Sequence, residues 1–162
     1  MKTFQLLLLF ILLSSYCFSQ THKGNIGLSV SLQNEQIDFL VPIFVSDNLS
    51  LSPAFGVRGI SDKYIDLTIG SIIRYYFSEQ IVSPFIGGRF GALLLLPKDD
   101  DSVIDYVFGP LFGGEYYFNE HISLGIEVQF NIVTSSEKSM RFGNPGGTNF
   151  NTATAIFATI YF

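Results

Sequence analysis

The chain has 162 residues, a formal net charge of −5 and only 14% charged residues, with 17 Phe and 8 Tyr but no Trp. Its mean hydropathy is +0.36, whereas a soluble domain carries roughly 25% charged residues to solvate its surface. An acidic balance without a basic cluster excludes nucleic acid as a partner, and past residue 20 there is no run of the roughly 18 apolar residues that a membrane helix needs.

The N-terminus reads as a targeting segment. Lys2 precedes an apolar core over 6–13 that is too short to span a bilayer, and Cys17 and Ser19 sit at the −3 and −1 positions of a cleavage site before Gln20. A cleaved signal peptide over 1–19 and a single domain over 20–162 are expected. Tyr16 stands where a lipid-anchored cysteine wants a small neighbour, which disfavours Cys17 as an anchor. Cleavage removes the only cysteine, so no disulfide, thiol nucleophile or thiolate metal site is expected in the mature chain, and no cofactor.

The first strand, 24–33, alternates Ile26, Leu28, Val30 and Leu32 with Asn25, Gly27, Ser29, Ser31 and Gln33. That period of two marks a strand with one apolar and one polar face. The second, 36–45, places Ile37, Phe39, Val41, Ile43 and Val45 opposite Asp38, Leu40, Pro42 and Phe44. The third opposes Leu49, Leu51, Pro53, Phe55 and Val57 to Ser50, Ser52, Ala54, Gly56 and Arg58. The fourth sets Ile65, Leu67, Ile69, Ile73, Tyr75 and Phe77 against Asp66, Thr68, Gly70, Arg74 and Tyr76.

The fifth strand, 81–95, opposes Pro84, Ile86, Phe90, Ala92 and Leu94 to Ser83, Gly87, Arg89 and Gly91, and a charged loop follows. In the sixth, 103–118, Tyr106, Phe108, Phe112, Tyr116 and Phe118 oppose Asp105, Gly109, Gly113 and Glu115. The seventh opposes Leu124, Ile126, Val128, Phe130 and Ile132 to Ser123, Gly125, Glu127, Gln129 and Asn131. A polar, glycine-rich connection over 134–149 leads to the last strand, which ends at Phe162.

Three connections share one design. Tyr75-Tyr76-Phe77-Ser78-Glu79-Gln80-Ile81 returns as Tyr116-Tyr117-Phe118-Asn119-Glu120-His121-Ile122, and more faintly as Ile43-Phe44-Val45-Ser46-Asp47-Asn48-Leu49. Ser, Asn and Asp favour such tight turns because their side chains bond the local backbone. Hairpins in series predict an all-β, eight-stranded antiparallel up-and-down transmembrane β-barrel. An even strand count puts both termini on one side, with the repeated short turns there and the long connections opposite.

The descending strands end on Tyr75-x-Phe77, Tyr116-x-Phe118 and Ile160-x-Phe162, all on the apolar parity. Outward Tyr75, Phe77, Tyr116 and Phe118 are expected to form a girdle at the membrane interface. In these features the mature chain resembles the small eight-stranded outer-membrane β-barrel family of Gram-negative cells, although Ile160 replaces the expected Tyr. The resemblance implies an integral outer-membrane protein, structural or narrowly porin-like, monomeric and not an enzyme. It also implies contact with outer-membrane lipids and lipopolysaccharide, and Phe162 as the signal read by the barrel-assembly machinery.

The polar parity carries Asp38, Arg58, Asp66, Arg74, Arg89, Asp105, Glu115 and Glu127. Eight strands leave an interior that side chains fill, where charges must pair. A lumen closed by Arg–carboxylate pairs is expected, with an ion or proton pathway along the same groups as the alternative. His121-x-Ser123 with Glu127 resembles the pair and acid of the outer-membrane lipid A deacylases, but Ser123 lies on the lumen parity and His121 in a turn of the wrong end. A lipid-modifying enzyme therefore stands second, and a secreted soluble lipocalin-like barrel with an apolar ligand third. Asp99-Asp100-Asp101 lacks the alternation of a calcium loop, Asn144-Pro145-Gly146-Gly147 is turn punctuation, and Lys138 and Arg141 are candidate contacts for lipopolysaccharide phosphates.

Overall fold

Alternation of apolar with small or polar residues is what a chain needs when one strand face meets hydrocarbon and the other a filled lumen. The computed structural model describes residues 24–162 except positions 35 and 79, and the expected signal segment over 1–19 lies outside the described residues. The strands are β1 (Gly27–Gln33), β2 (Gln36–Leu40), β3 (Ile43–Ser46), β4 (Leu49–Ile60), β5 (Tyr64–Tyr76), β6 (Val82–Pro97), β7 (Val103–Tyr117), β8 (Ile122–Thr134) and β9 (Thr148–Tyr161). All pairings are antiparallel: β1 with β2, β2 and β3 both with β4, then each strand with the next from β4 to β9, and β1 with β9 closes the sheet into a barrel.

The expected second strand is divided. Val41 and Pro42 separate β2 from β3, since Pro42 has no N–H to give the ladder. Both halves still pair with β4, and the Pro42 carbonyl accepts a bond from the Gly27 amide at 2.8 Å. The two halves form one stave, so the closed antiparallel barrel has eight. From β4 onward the strands run 12 to 16 residues, more than the roughly 9–11 a tilted strand needs to cross a bilayer.

The sheet is inside out relative to a soluble protein. In β1, Leu28 is 57% exposed and Ser29 2%. The same alternation leaves Ile69, Ile86, Phe108, Phe130 and Ile156 outward, while Ser31, Thr68, Glu115, Glu127 and Asn131 are buried. Isolated apolar residues on a surface are ordinary, but a continuous apolar outer wall is not. A soluble barrel with an apolar cavity requires the reverse facing, which removes the lipocalin-like alternative.

The connections that follow Ser46, Tyr76 and Tyr117 share the end where Phe162 N–H donates to the Ile26 carbonyl at 2.9 Å; we call it the terminal end. Asn119 Oδ1 accepts from the His121 and Ile122 amides at 2.8 and 2.9 Å, the local bonding its sequence predicts. The longer connections lie at the opposite, loop end. Inside the wall, glycine makes room for bulky neighbours: a Cβ on Gly125 would lie 2.1 Å from the buried Phe157 ring, and one on Gly56 would lie 2.0 Å from Asp38 Oδ1.

Candidate functional site

The lumen parity of β5, β7, β8 and β9 delivers the polar side chains of the interior in layers. Nearest the terminal end, Glu115 is fully buried. Tyr76 and Tyr161 hydroxyls each donate to its carboxylate at 2.8 Å, and the Ser123 hydroxyl donates as well. Three donors satisfy a charge that has no cation within ion-pair distance among the described residues. Around this carboxylate Phe44, Tyr76, Phe85, Tyr117, Phe157 and Tyr161 pack against one another across the lumen.

One layer higher, Arg74 meets Glu127. Both side chains are almost fully buried, and Arg74 Nη2 and Nε reach the same oxygen, Oε2, at 2.8 and 3.0 Å. The other oxygen accepts from Gln129 Nε2 at 2.6 Å. The guanidinium also lies over the rings of Phe157 and Phe85, 4.3 and 5.2 Å from their centroids, a favourable seat for a desolvated cation. Gln129 then accepts from Arg89, whose Nη1 also reaches Gln33 Oε1 at 3.4 Å. Asp38, across the same layer, is held by Gln36 Nε2 at 2.6 Å.

The loop end is organised by a residue from the long connection. Arg141 turns inward and pairs with Asp66 at 2.5 Å and Asp105 at 3.3 Å. Asp105 also accepts from the Ser136 amide at 2.8 Å and the Ser139 hydroxyl at 2.7 Å. Phe142, next in chain, packs on Leu93, Val107 and Val133. Residues 135–147 are thus drawn over the barrel mouth by two carboxylates, Asp66 and Asp105, and one apolar seat.

The interior therefore brings together Asp38, Asp66, Arg74, Arg89, Asp105, Glu115 and Glu127. Arg58 borders the lumen near the loop end beside Arg89 but joins no pair: it is exposed, next to the register shift between Val57 and Gly59, with no ion pair to a described residue. Arg141, expected to face lipid phosphates, takes the third arginine's place. Nothing in its own loop signals this, because the loop has no period; the unmatched acids of the lumen parity are the only clue. Lys138 is also engaged, by Asp101 at 2.5 Å. That hydrogen bond holds the Asp101 carboxyl below the usual carboxylate range and the Lys138 ammonium above its own, though full exposure leaves little stability in the pair.

The hydrolase-like constellation is not assembled. Ser123 gives its hydrogen bond to Glu115 inside the barrel, while His121 is exposed in its turn, with Nδ1 3.2 Å from the Tyr161 carbonyl. Among the described residues no cluster of His, Cys, Asp or Glu has a metal-binding arrangement. On the outer wall, Tyr75 and Phe77 contact edge to face at 5.7 Å, as do Tyr116 and Phe118 at 5.1 Å. Both pairs lie at the terminal end with Phe162, which is 74% exposed.

No family model matches the chain, and no curated protein matches it either. Solved structures do. The N-terminal β-barrel domain of Pseudomonas aeruginosa OprF superposes with a TM-score of 0.56 at 14% identity, covering 88% of this chain and all of that one. Neisserial surface protein A superposes at 0.57 with 12% identity, covering 85% and 94%. The outer membrane enzyme PagL gives 0.39 at 12% identity, covering 84% and 98%. The chain has the fold of the small eight-stranded outer-membrane barrels.

Proposed function

We propose that this chain is an integral outer-membrane protein without enzymatic activity, a structural barrel whose lumen does not conduct. The observation that carries this reading is the apolar outer wall, which only hydrocarbon can cover at low cost. The terminal end faces the periplasm in this reading, since the longest connection, 135–147, lies at the other end, and the outward aromatics there sit at the interface beside lipid and lipopolysaccharide. Closure of the lumen rests on the aromatic layer around Glu115 and on the Arg74–Glu127 pair above it.

The protein is expected to stay with membranes through carbonate and salt washes. Unboiled samples should run anomalously on gels and shift on heating, because a closed barrel has no free edge at which to unravel. Planar bilayers should show negligible conductance. Release by carbonate would remove the membrane reading, and large stable single-channel currents would replace the structural barrel with a narrow porin.

Phe162 is proposed as the residue that the barrel-assembly machinery reads. It follows β9 directly, its amide is tied to the Ile26 carbonyl, and its side chain is largely exposed. Deleting it should lower the membrane-embedded fraction in cells while leaving detergent-refolded barrel nearly unchanged. Equal assembly with and without Phe162 would make the terminus incidental.

A further inference from the structure

Between the Arg89 layer and the Arg141 cap lies a cavity of about 250 Å³, bordered by Gln33, Arg58, Arg89, Asn131 and Asn151. Its size admits about eight waters and falls below the roughly 300–1,000 Å³ of drug-sized sites. Only a small solute fits. The polar groups on its wall define the chemistry.

Arg89 donates to two neutral amide oxygens, those of Gln33 and Gln129, and no described carboxylate lies within ion-pair distance of it. Arg58 has no ion pair to a described residue and borders both this cavity and a crevice among the loops that also includes Lys63 and Tyr64. Asp38, held by the neutral Gln36 amide, and Glu127, paired with Arg74, act on Arg89 only at longer range, while Asp66 and Asp105 share Arg141. Two guanidiniums without a contacting carboxylate border the same small space.

We propose that this cavity is a binding site for a small carboxylate entering from the loop end past Arg58. Its carboxylate is received by Arg58 and Arg89, whose planar forks match carboxylate geometry. The packed layers below make the site a blind cup. This inference goes beyond the structural role and stands or falls separately from conductance.

Malate, succinate and glycerol, each at one ionic strength, serve as probes against the detergent-solubilised full barrel, read by the side-chain amide resonances of Gln33, Asn131 and Asn151. Malate should shift these signals saturably and glycerol should not. Arg58→Ala should weaken malate about tenfold, the loss of one charge-assisted contact, while Arg58→Lys retains part and Lys98→Ala changes nothing. Arg58 is exposed, so its replacement leaves the barrel folded. Succinate should shift the same signals, since the two guanidiniums read the carboxylate. Succinate failing to bind, glycerol binding as well as malate, or malate binding unaltered by Arg58→Ala, would overturn the site.

Discussion

Arg74→Met should lower the stability of the folded barrel by about 3–5 kcal/mol, the cost of leaving a buried charge without its partner. Methionine retains much of the unbranched stem that lies on Phe85 and Phe157, so the loss reports the charge rather than the packing. What remains is Glu127, 1% exposed, with only Gln129 to donate to it. Replacing both partners, Arg74→Met with Glu127→Leu, should recover most of the stability, because a buried ion pair exchanged for apolar groups is often close to neutral. Arg89→Met should cost less, about 1–2 kcal/mol, since its hydrogen bonds are to neutral amides and it forms no ion pair with a described residue. Urea titrations in detergent or lipid vesicles would rank the three. Coincident midpoints for Arg74→Met and Arg89→Met would show that the Arg74–Glu127 pair does not hold the lumen together.

That ranking separates what the sequence makes legible from what it hides. A strand with one face in lipid and one in a filled lumen must alternate, so the period alone assigns Arg74, Glu115 and Glu127 inward and Tyr75, Tyr116 and Phe130 outward. The same logic fails wherever the ladder is interrupted. At Pro42 a missing donor divides one stave, and at Val57–Gly59 a register shift interrupts the ladder beside Arg58, which forms no ion pair with a described residue. Partners across the barrel are harder still. Arg74 and Glu127 are 53 residues apart, and parity cannot say that they meet while Glu115 is satisfied by tyrosine hydroxyls instead. The excess of acids over arginines on the lumen parity was legible. It demanded other donors, and Tyr76, Tyr161 and Ser123 on the same parity were the available ones. Arg141 lay outside that logic, because a loop has no period to say which of its residues returns to the barrel.

Arg141→Ala should release the long loop without unfolding the barrel. Arg141 ties two carboxylates from different strands, Asp66 on β5 and Asp105 on β7, and Asp105 in turn holds the Ser136 amide and the Ser139 hydroxyl. Removing the guanidinium leaves two acids facing each other at the barrel mouth, where water relieves the repulsion only if the loop opens. The sealed pair is worth about 3 kcal/mol at the low end for broken buried pairs, so amide exchange over residues 135–147 should speed up by about a hundredfold. Amides of β7 and β8 at the Arg74 level should keep their protection, since the aromatic layer and the Arg74–Glu127 pair are untouched. Asp105→Asn should act in the same direction, because it keeps an acceptor but presents an amide to Arg141. Asp66→Asn should act more weakly, since Asp105 alone collects the two serine bonds. Phe142, seated on Leu93, Val107 and Val133, supplies the remaining hold, so Phe142→Ala added to Arg141→Ala should open the loop further. Loop exchange unchanged by Arg141→Ala would mean that the apolar seat alone closes the mouth, and the ion pairs would be a consequence of that closure instead of its cause.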